Sequence, residues 1–433
     1  MQGDASSQLE RRRQTVAERW NLGDQAVVIG AGEPVPIPGR GDRTYPYRAH
    51  SEYFYLTDRE RPGGVLAYDP DEGWIEFIRP VSREELLWEG APSDDQPGVA
   101  LDELEAWLDR HWRQGRPVAN LGAPVPGAGA VADQAVCDLA DELRRALNHV
   151  RRQKDPVELE RMRAAERATA AGFAAIVALI TAGPTERDIQ IELEAEFFRH
   201  GADHLAFDTI VASGANSGVL HFPPTGKALD DGELVLIDAG GEVRGYASDV
   251  TRTYPVSGSF SPEQAALHDL VDRAGQAATS RCADGIEFRE LHRTAALVIA
   301  QGLVDFGLLR GRPESLVQSG AVTLFFPHGV GHMVGLGVRD AGEVLPGREP
   351  EPGLPGLRAD LPLLAGHVVT IEPGLYFVPA LLADPDTRAR LRDQVNWERA
   401  DGLAGFGGIR IENNVLITED GHEVLTADIP VLG

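Results

Sequence analysis

The spacing of hydrophobic and polar residues changes along the chain and predicts a mixed α/β protein. In the first third, short apolar runs alternate with amphipathic stretches of helical period. The runs predict strands at 25–29, 64–68 and 74–78. The amphipathic stretches predict helices at 4–21, 83–89, 101–114 and 132–149. Alternation of this kind is typical of an α/β domain.

A charged stretch near residues 150–157 marks a domain boundary. Asp155 can cap a helix whose first position is Pro156, and the apolar pattern continues that helix to about 182. A chain of 433 residues is long enough for two domains. We therefore expect one domain over 1–150 and a second over 151–433.

The second domain combines helices with short strands. Its helices are expected at 185–200, 262–283 and 287–307. Short strands are expected near 207–212 and 219–222, and the last hundred residues have a β-rich pattern with long loops. The fold class predicted for the whole chain is therefore α/β, or α+β.

The segment from 233 to 254 has the most informative pattern. Its apolar run Leu234–Ile237 predicts a buried strand that ends at Asp238, and a second run carries Asp249. If the two runs pair as a hairpin, both carboxylates face one point. Unpaired carboxylates that lie close together in a core are costly, and a metal ion removes that cost. Two exposed acids beside a surface turn remain the alternative for this pair alone.

Composition narrows the range of partners. The formal net charge is −26, which argues against nucleic acid or an anionic membrane as the main partner. The chain has two cysteines and no CxxC motif, so a reducing, cytoplasmic environment is expected. Its N-terminus is polar, unlike a signal peptide, and no apolar run is long enough to predict a membrane span.

Further acids and histidines stand in strand-like or glycine-flanked settings downstream. Glu372 and Glu412 each end an apolar run, where burial normally excludes a carboxylate. His328 and His332 belong to the motif PHGVGH, and His221 precedes Phe222-Pro223. A buried ion pair of Glu412 with Arg410 would explain one acid. Four acids with an imidazole are better explained by two divalent cations, and hard oxygen ligands favour Mn²⁺, Co²⁺ or Zn²⁺.

These motifs resemble the pita-bread metallopeptidases, the family of methionine aminopeptidase, aminopeptidase P and prolidase. The matching segments are LIDAGGEVRGYASDVTRTY, PHGVGH, TIEPGLYF and GGIRIENNV. The resemblance implies a creatinase-type N-terminal α/β domain, a pita-bread catalytic domain and a homodimer. It also implies two metal ions, with Mn²⁺ preferred over Co²⁺ or Zn²⁺, and five ligands for them: Asp238, Asp249, His332, Glu372 and Glu412.

The same resemblance implies roles around the metal ions. Glu372 is the candidate general acid and base, and His221 and His328 are expected to stabilise the tetrahedral intermediate. Arg410 and Tyr376 are further candidates on the substrate side, although Arg410 is better placed to orient carboxylates. Proline-containing dipeptides or longer peptides are the expected substrates.

Within the family, the sequence is most like a prolidase, which cleaves Xaa-Pro dipeptides. Arg358 stands where prolidases bind the dipeptide's carboxylate, and an arginine fork suits that group. Aminopeptidase P activity on longer Xaa-Pro peptides is the alternative, and a non-catalytic binding protein is a third. Arg339 departs from the family, which usually has a histidine there. Arginine cannot transfer a proton at neutral pH, so this substitution predicts altered substrate contacts.

Overall fold

A computed structural model of the chain describes residues 2–88, 90, 98–128, 134–256, 258–351, 353–354 and 356–431. The chain forms two compact units, Met1–Arg151 and Arg152–Gly433. Both units mix helices with strands, so the predicted fold class is confirmed. The ends of two predicted helices, residues 89 and 132–133, lie outside the described residues.

The first unit is built on one five-stranded sheet. Its elements in chain order are α1 (Gln2–Trp20), β1 (Ala26–Gly30), α2 (Ser51–Thr57), β2 (Val65–Asp69), β3 (Gly73–Ile78), α3 (Arg83–Trp88), β4 (Val99–Ala100), α4 (Glu103–Arg113), β5 (Val118–Gly122) and α5 (Gln134–Arg152). The strand order is β4-β3-β2-β1-β5, with β1 parallel to β5 and antiparallel to β2. Val28 and Ala67 of the sheet and Trp107 of α4 belong to one buried cluster.

The second unit carries all of the predicted metal ligands. Its first half contains α6 (Pro156–Ile176), α7 (Glu186–Arg199), β6 (His204–Leu205), β7 (Ile210–Ser213), β8 (Leu234–Ala239), β9 (Gly241–Val243), β10 (Tyr246–Ala247), β11 (Val250–Pro255), α8 (Pro262–Thr279) and α9 (Phe288–Asp305). Its second half contains α10 (Pro313–Gln318), β12 (Val368–Ile371), β13 (Gly374–Tyr376), α11 (Pro379–Leu382), α12 (Pro385–Arg390), α13 (Trp397–Gly402), β14 (Gly408–Arg410), β15 (Asn413–Thr418) and β16 (Gly421–Val424).

Small antiparallel sheets bring these strands together. The sheets have the orders β11-β8-β7, β10-β9-β6, β12-β15-β16 and β13-β14. On one side, Phe173 of α6 and Phe197 of α7 join a buried cluster with Val235 and Ile237 of β8. A second cluster packs α8 and α9 with residues of β12 and β15. The site strands are therefore covered by helices and hold their side chains in a rigid setting.

Helix α6 begins as the sequence predicts. The Asp155 side chain accepts hydrogen bonds from the backbone N–H groups of Val157 and Glu158, and Pro156 occupies the first turn. The Glu158 side chain in turn accepts from the Asp155 backbone N–H at 3.0 Å. This reciprocal capping box fixes the start of the helix that packs behind the metal-ligand strands.

The predicted strand at 219–222 is wrong. A 3₁₀ helix, Gly214–Gly218, leads into a turn closed by a hydrogen bond from the Val219 N–H to the Asn216 carbonyl. Pro223 and Pro224 follow, and proline has no N–H to donate to a strand neighbour. His221 therefore lies in an irregular, exposed loop.

Candidate metal centre

Two adjacent strands position the first pair of carboxylates. β8 and β11 are antiparallel, with Thr251 opposite Asp238, and Asp249 directly precedes β11. Between them the chain makes the β9–β10 hairpin, which belongs to a different sheet. A Cβ at Gly240 would lie 1.8 Å from the Ser248 carbonyl oxygen, so only glycine permits this close return of the chain. The two acids thus face the same point, as their spacing predicts.

His332 offers a nitrogen lone pair to this point. Its Nδ1 lies 3.0 Å from the Met333 carbonyl oxygen, which can only accept a hydrogen bond. Nδ1 therefore carries the proton, and Nε2 is unprotonated in the neutral ring. Nε2 lies 3.3 Å from Asp249 Oδ2 and 3.8 Å from Glu372 Oε1. A ring fixed in this tautomer by a backbone carbonyl is the usual arrangement of a metal-binding histidine.

The remaining ligand candidates surround the same point. Potential ligand atoms of Asp249, His332 and Glu412 all lie within 4.8 Å of one another. Asp238 and Glu372 line the same cavity. The structure thus brings together all five residues predicted as ligands, although Asp238 and Glu412 are 174 residues apart in the sequence.

The carboxylates raise one another's pKa because they are buried together. The pKa values of Asp249 and Glu412 lie well above the ordinary carboxyl range, first through burial and then through neighbouring carboxylates. Burial also raises the pKa of Glu372. Divalent cations would offset this mutual repulsion and allow the buried carboxylates to be charged together.

One buried carboxylate oxygen without a hydrogen-bond partner indicates that these residues fit a metal ion. Asp238 Oδ1 is buried and has no hydrogen-bond partner among the described residues. Such an orphan is rare in protein interiors and indicates a missing partner. Carboxylate oxygens with one imidazole form a donor set suited to Mn²⁺, Co²⁺ or Zn²⁺. The site therefore fits divalent metal ions, with Asp238, Asp249, His332, Glu372 and Glu412 as the residues that could hold them.

Arg410 contacts protein groups through all three nitrogens of its guanidinium. It donates to Asp238 Oδ2 at 2.6 Å, to Thr251 Oγ1 at 2.9 Å and to Tyr376 Oη at 2.7 Å. The residue is 4% exposed. The bond to Asp238 leaves its second oxygen, Oδ1, for the cavity. Arg410 thus uses one donor of each nitrogen on the protein, and its bond to Asp238 orients a ligand carboxylate.

Thr251 is a site residue that the sequence did not single out. Its hydroxyl donates to Glu412 Oε2 at 2.7 Å and accepts from Arg410. The Glu412 backbone N–H donates to the Thr251 carbonyl at 3.0 Å. The sequence did contain a signal for this role. Thr251 lies two residues after Asp249 in a strand-like run, so the two side chains share a face.

His328 and Tyr376 continue this hydrogen-bond chain. His328 Nδ1 lies 2.8 Å from the Gly329 carbonyl, so Nε2 accepts from the Tyr376 hydroxyl at 3.0 Å. Burial lowers the pKa of His328 to about 3, so its ring is neutral. Both ring nitrogens are engaged here, and any contact with substrate requires Nε2 to exchange Tyr376 for it.

A cavity of about 720 Å³ opens in front of the ligand cluster. Its apolar wall includes Phe207, Ile210, Leu220, Phe222 and Val338, which supply surface for a peptide side chain or a proline ring. His221 also lines the cavity, and burial lowers its pKa, with Arg339 and Arg410 adding to the effect. A neutral imidazole at this position can accept or donate a hydrogen bond.

Arg339 and Arg358 both line this cavity from neighbouring loops. The loops are joined by a hydrogen bond from the Asp360 N–H to the Glu343 carbonyl and by the bridge between Val344 and Asp360. Burial and the charge of Arg339 lower the pKa of Arg358, which shows that the two guanidiniums repel each other. Neither makes a hydrogen bond or an ion pair within the described part of the chain.

Buried ion pairs fix both loops. Asp340, next to Arg339, lies 2.8 Å from Lys154 Nζ, and both side chains are at most 1% exposed. Asp360, two residues after Arg358, accepts two hydrogen bonds from Arg289. The two unpaired cations are thus held on rigid supports and aimed at the same cavity.

Two protein-family profiles match this chain. The profile described as metallopeptidase family M24 matches residues 160–419. The profile described as the aminopeptidase P N-terminal domain matches residues 9–104. The first match contains all five candidate ligands, and the second lies within the first structural unit.

The names of similar proteins agree with these profiles. A probable Xaa-Pro aminopeptidase of Paracoccidioides brasiliensis is 29% identical over 93% of this chain and 90% of its own length. Another, from Botryotinia fuckeliana, is 30% identical over 89% of this chain and 86% of its own length.

Solved structures show the same fold. An aminopeptidase of Pseudomonas aeruginosa superposes with a TM-score of 0.79 at 31% identity, covering 98% of this chain and 96% of that one. A zinc-substituted aminopeptidase P of Escherichia coli in complex with product gives 0.77 at 28% identity, covering 98% and 95%.

Proposed function

The chain belongs to metallopeptidase family M24, and from that premise we propose that it is a Xaa-Pro aminopeptidase, which hydrolyses the bond between an N-terminal residue and proline. The observation that carries the proposal is the ligand cluster around His332 Nε2, with the orphan oxygen of Asp238 beside it. A relative with this activity in its name matches 93% of the chain, which supports the Xaa-Pro specificity.

The sequence favours a dipeptidase as the main activity, whereas the relatives favour the aminopeptidase alternative. The cavity of about 720 Å³ also supports peptides longer than two residues. The non-catalytic alternative receives no support, because all five candidate ligands are present and line the same cavity.

We propose two divalent cations, most simply Mn²⁺, as the cofactor. Asp238, Asp249, His332, Glu372 and Glu412 would hold them. When bound, such ions supply a water nucleophile near neutral pH and polarise the scissile carbonyl.

Glu372 is the proposed carrier of the proton in catalysis. Its side chain is 18% exposed, compared with 11% for Asp238 and 6% for Asp249. It can therefore reach both the water and the substrate in the cavity. In the proposed reaction Glu372 takes a proton from the attacking water and delivers it to the prolyl nitrogen as the C–N bond breaks.

His221 and His328 are proposed to position the substrate. His221 is exposed to the cavity, and its neutral ring can donate to the oxygen of the tetrahedral intermediate. His328 would reach the same region after releasing Tyr376, which Arg410 continues to hold.

A second candidate activity, hydrolysis of Xaa-Pro dipeptides, is supported by the two unpaired arginines. In a dipeptide the carboxylate lies on the proline itself, close to the scissile bond. Arg339 and Arg358 present two guanidiniums to the cavity, and each can bind a carboxylate bidentately. An anion between them would also relieve their mutual repulsion.

Activity on matched peptides tests both candidates. Ala-Pro and Ala-Pro-Ala would be incubated with metal-stripped protein, with and without added Mn²⁺, and free alanine would be measured. The aminopeptidase proposal expects metal-dependent release of alanine from the tripeptide. Release from the dipeptide alone would favour the second candidate, and no release from either by metal-loaded protein would refute both.

We also propose a cytoplasmic homodimer. Free thiols at Cys137 and Cys282 support a reducing compartment. On α3, Leu87 and Trp88 are each 77% exposed, and exposed apolar side chains of this size often mark an interface. Sedimentation equilibrium of the full-length chain would give the mass, and a monomer at micromolar concentration would refute the dimer.

A further inference from the structure

A buried glutamate behind the metal centre links two of its strands. Glu166 lies in α6, is 4% exposed and is absent from the cavity that faces the ligands. Its Oε2 accepts a hydrogen bond from Ser248 Oγ at 2.6 Å, and its Oε1 accepts one from Asn414 Nδ2 at 2.6 Å. Ser248 immediately precedes Asp249, and Asn414 follows Glu412 by two residues.

These two bonds join segments that are far apart in sequence. Glu166 is 82 residues from Ser248 and 248 residues from Asn414. Both partners are fully buried. One carboxylate on a third element therefore connects the segment that carries Asp249 to the segment that carries Glu412.

The hydrogen bonds to Glu166 counteract electrostatic repulsion between the ligand carboxylates. Asp249 and Glu412 are buried and offer ligand atoms within 4.8 Å of one another, and two carboxylates at that distance repel each other before metal ions bind. Repulsion of this kind tends to separate their strands. The two hydrogen bonds to Glu166 hold the strands at fixed spacing from behind, where substrate does not reach.

We propose that Glu166 is a positioning residue that preorganises Asp249 and Glu412 for divalent metal ions. Removing a group that hydrogen-bonds a metal ligand typically weakens metal binding by about 10- to 100-fold, and Glu166, which holds the residues beside two ligands, is expected to act at the lower end of that range. The inference rests on the metal centre of the proposed function. Its test measures metal binding without substrate, so it can fail while the peptidase assignment stands, and the reverse also holds.

The alternative is a purely structural glutamate, and Glu158 provides the matched control. Glu158 lies on the same helix, is 1% exposed and accepts a hydrogen bond from Tyr246 Oη at 3.0 Å. Tyr246 lies on β10, which carries no ligand. Glu158→Ala therefore removes a buried carboxylate from α6, together with its capping contact to the Asp155 N–H, and leaves the bonds to Ser248 and Asn414 in place.

The experiment compares Mn²⁺ affinity by titration calorimetry and unfolding of the metal-free protein by denaturant. Glu166→Ala should weaken Mn²⁺ binding by about tenfold, whereas Glu158→Ala should leave it within about twofold. Glu166→Gln keeps an acceptor oxygen for Asn414 and a polar contact for Ser248, so it should restore affinity to within about threefold of the unaltered chain.

Two results would overturn the proposal. Equal loss of stability in Glu166→Ala and Glu158→Ala, with unchanged Mn²⁺ affinity in both, would make Glu166 merely structural. Equal loss of affinity in Glu166→Gln and Glu166→Ala would assign the effect to charge and not to positioning. If Glu166→Ala does not fold, Ser248→Ala deletes a single hydroxyl and is measured instead. It should weaken binding severalfold, and unchanged affinity would again refute the proposal.

Discussion

The two unpaired arginines of the cavity give the sharpest test of substrate choice. The perturbation is Arg358→Met, which keeps an apolar stem of similar length and removes the guanidinium. The matched substrates are Ala-Pro and its amide, Ala-Pro-NH₂, which differ in the charge of one terminal group. If Arg358 binds the carboxylate, the Arg358→Met variant should lose the preference for Ala-Pro over Ala-Pro-NH₂. Its activity on the amide should be unchanged.

The magnitude follows from the contacts available. A hydrogen bond to a charged group contributes about 1.5–3 kcal/mol. Arg358 is exposed at the cavity mouth, so solvent screening places the effect near the lower end. A loss of about 1.4 kcal/mol is a factor of ten. We therefore expect kcat/KM for Ala-Pro to fall about tenfold in Arg358→Met, mainly through KM, and further in the double variant with Arg339→Met.

The assay is a cycle of two enzymes and two substrates at low salt. The quantity of interest is the ratio of kcat/KM for Ala-Pro to that for Ala-Pro-NH₂. Raising the ionic strength should reduce this ratio in the unaltered enzyme, because exposed ion pairs are screened. If the ratio is the same in both enzymes to within twofold, the carboxylate interpretation of Arg339 and Arg358 is wrong.

Three further predictions concern catalysis, stability and packing. Glu372→Gln should lower kcat by about 10²–10⁴-fold with an unchanged circular dichroism spectrum, and near-normal turnover would exclude Glu372 as the proton carrier. Burial raises the pKa of Glu166 to about 7 from an ordinary value of 4.5, so the folded state retains a proton that the unfolded chain releases. The metal-free chain should therefore lose up to about 3 kcal/mol of its free energy of unfolding as the pH rises from about 4.5 to 7. Denaturant unfolding at pH 5 and pH 8 measures this loss, which Glu166→Gln should reduce, and greater stability at pH 8 would contradict the sign. Finally, a Cβ at Gly331 would lie 1.9 Å from the Thr370 carbonyl oxygen, whereas one at Gly356 would meet nothing within 4 Å. Gly331→Ala should cost about 1–3 kcal/mol and weaken Mn²⁺ binding, and Gly356→Ala should do neither.

Local pattern was sufficient to predict the mixed fold class and the acids of the candidate site, whereas the choice of His332 among the histidines came from the resemblance to the pita-bread family. Apolar runs ending in Asp238, Glu372 and Glu412 indicate buried acids, and burial of several acids has few explanations besides a metal ion. The start of α6 was also predictable, because a capping box involves only four consecutive residues. The strand expected at 219–222 failed because short apolar runs are ambiguous without their neighbours.

Partners distant in sequence depended on the tertiary structure. Sequence proximity offers Glu412 as an alternative partner for Arg410, yet the guanidinium reaches Asp238, 172 residues away, and Thr251 donates to Glu412 instead. Glu166 lies in the alanine-rich helix α6, where no periodic signal marks a buried glutamate with partners 82 and 248 residues away. The sequence by itself determined which charged side chains are buried, because burial of an acidic residue follows from the apolar residues beside it. Only the tertiary structure decided which groups satisfy those charges, because hydrogen bonds require distances and directions that strands and helices acquire when they pack.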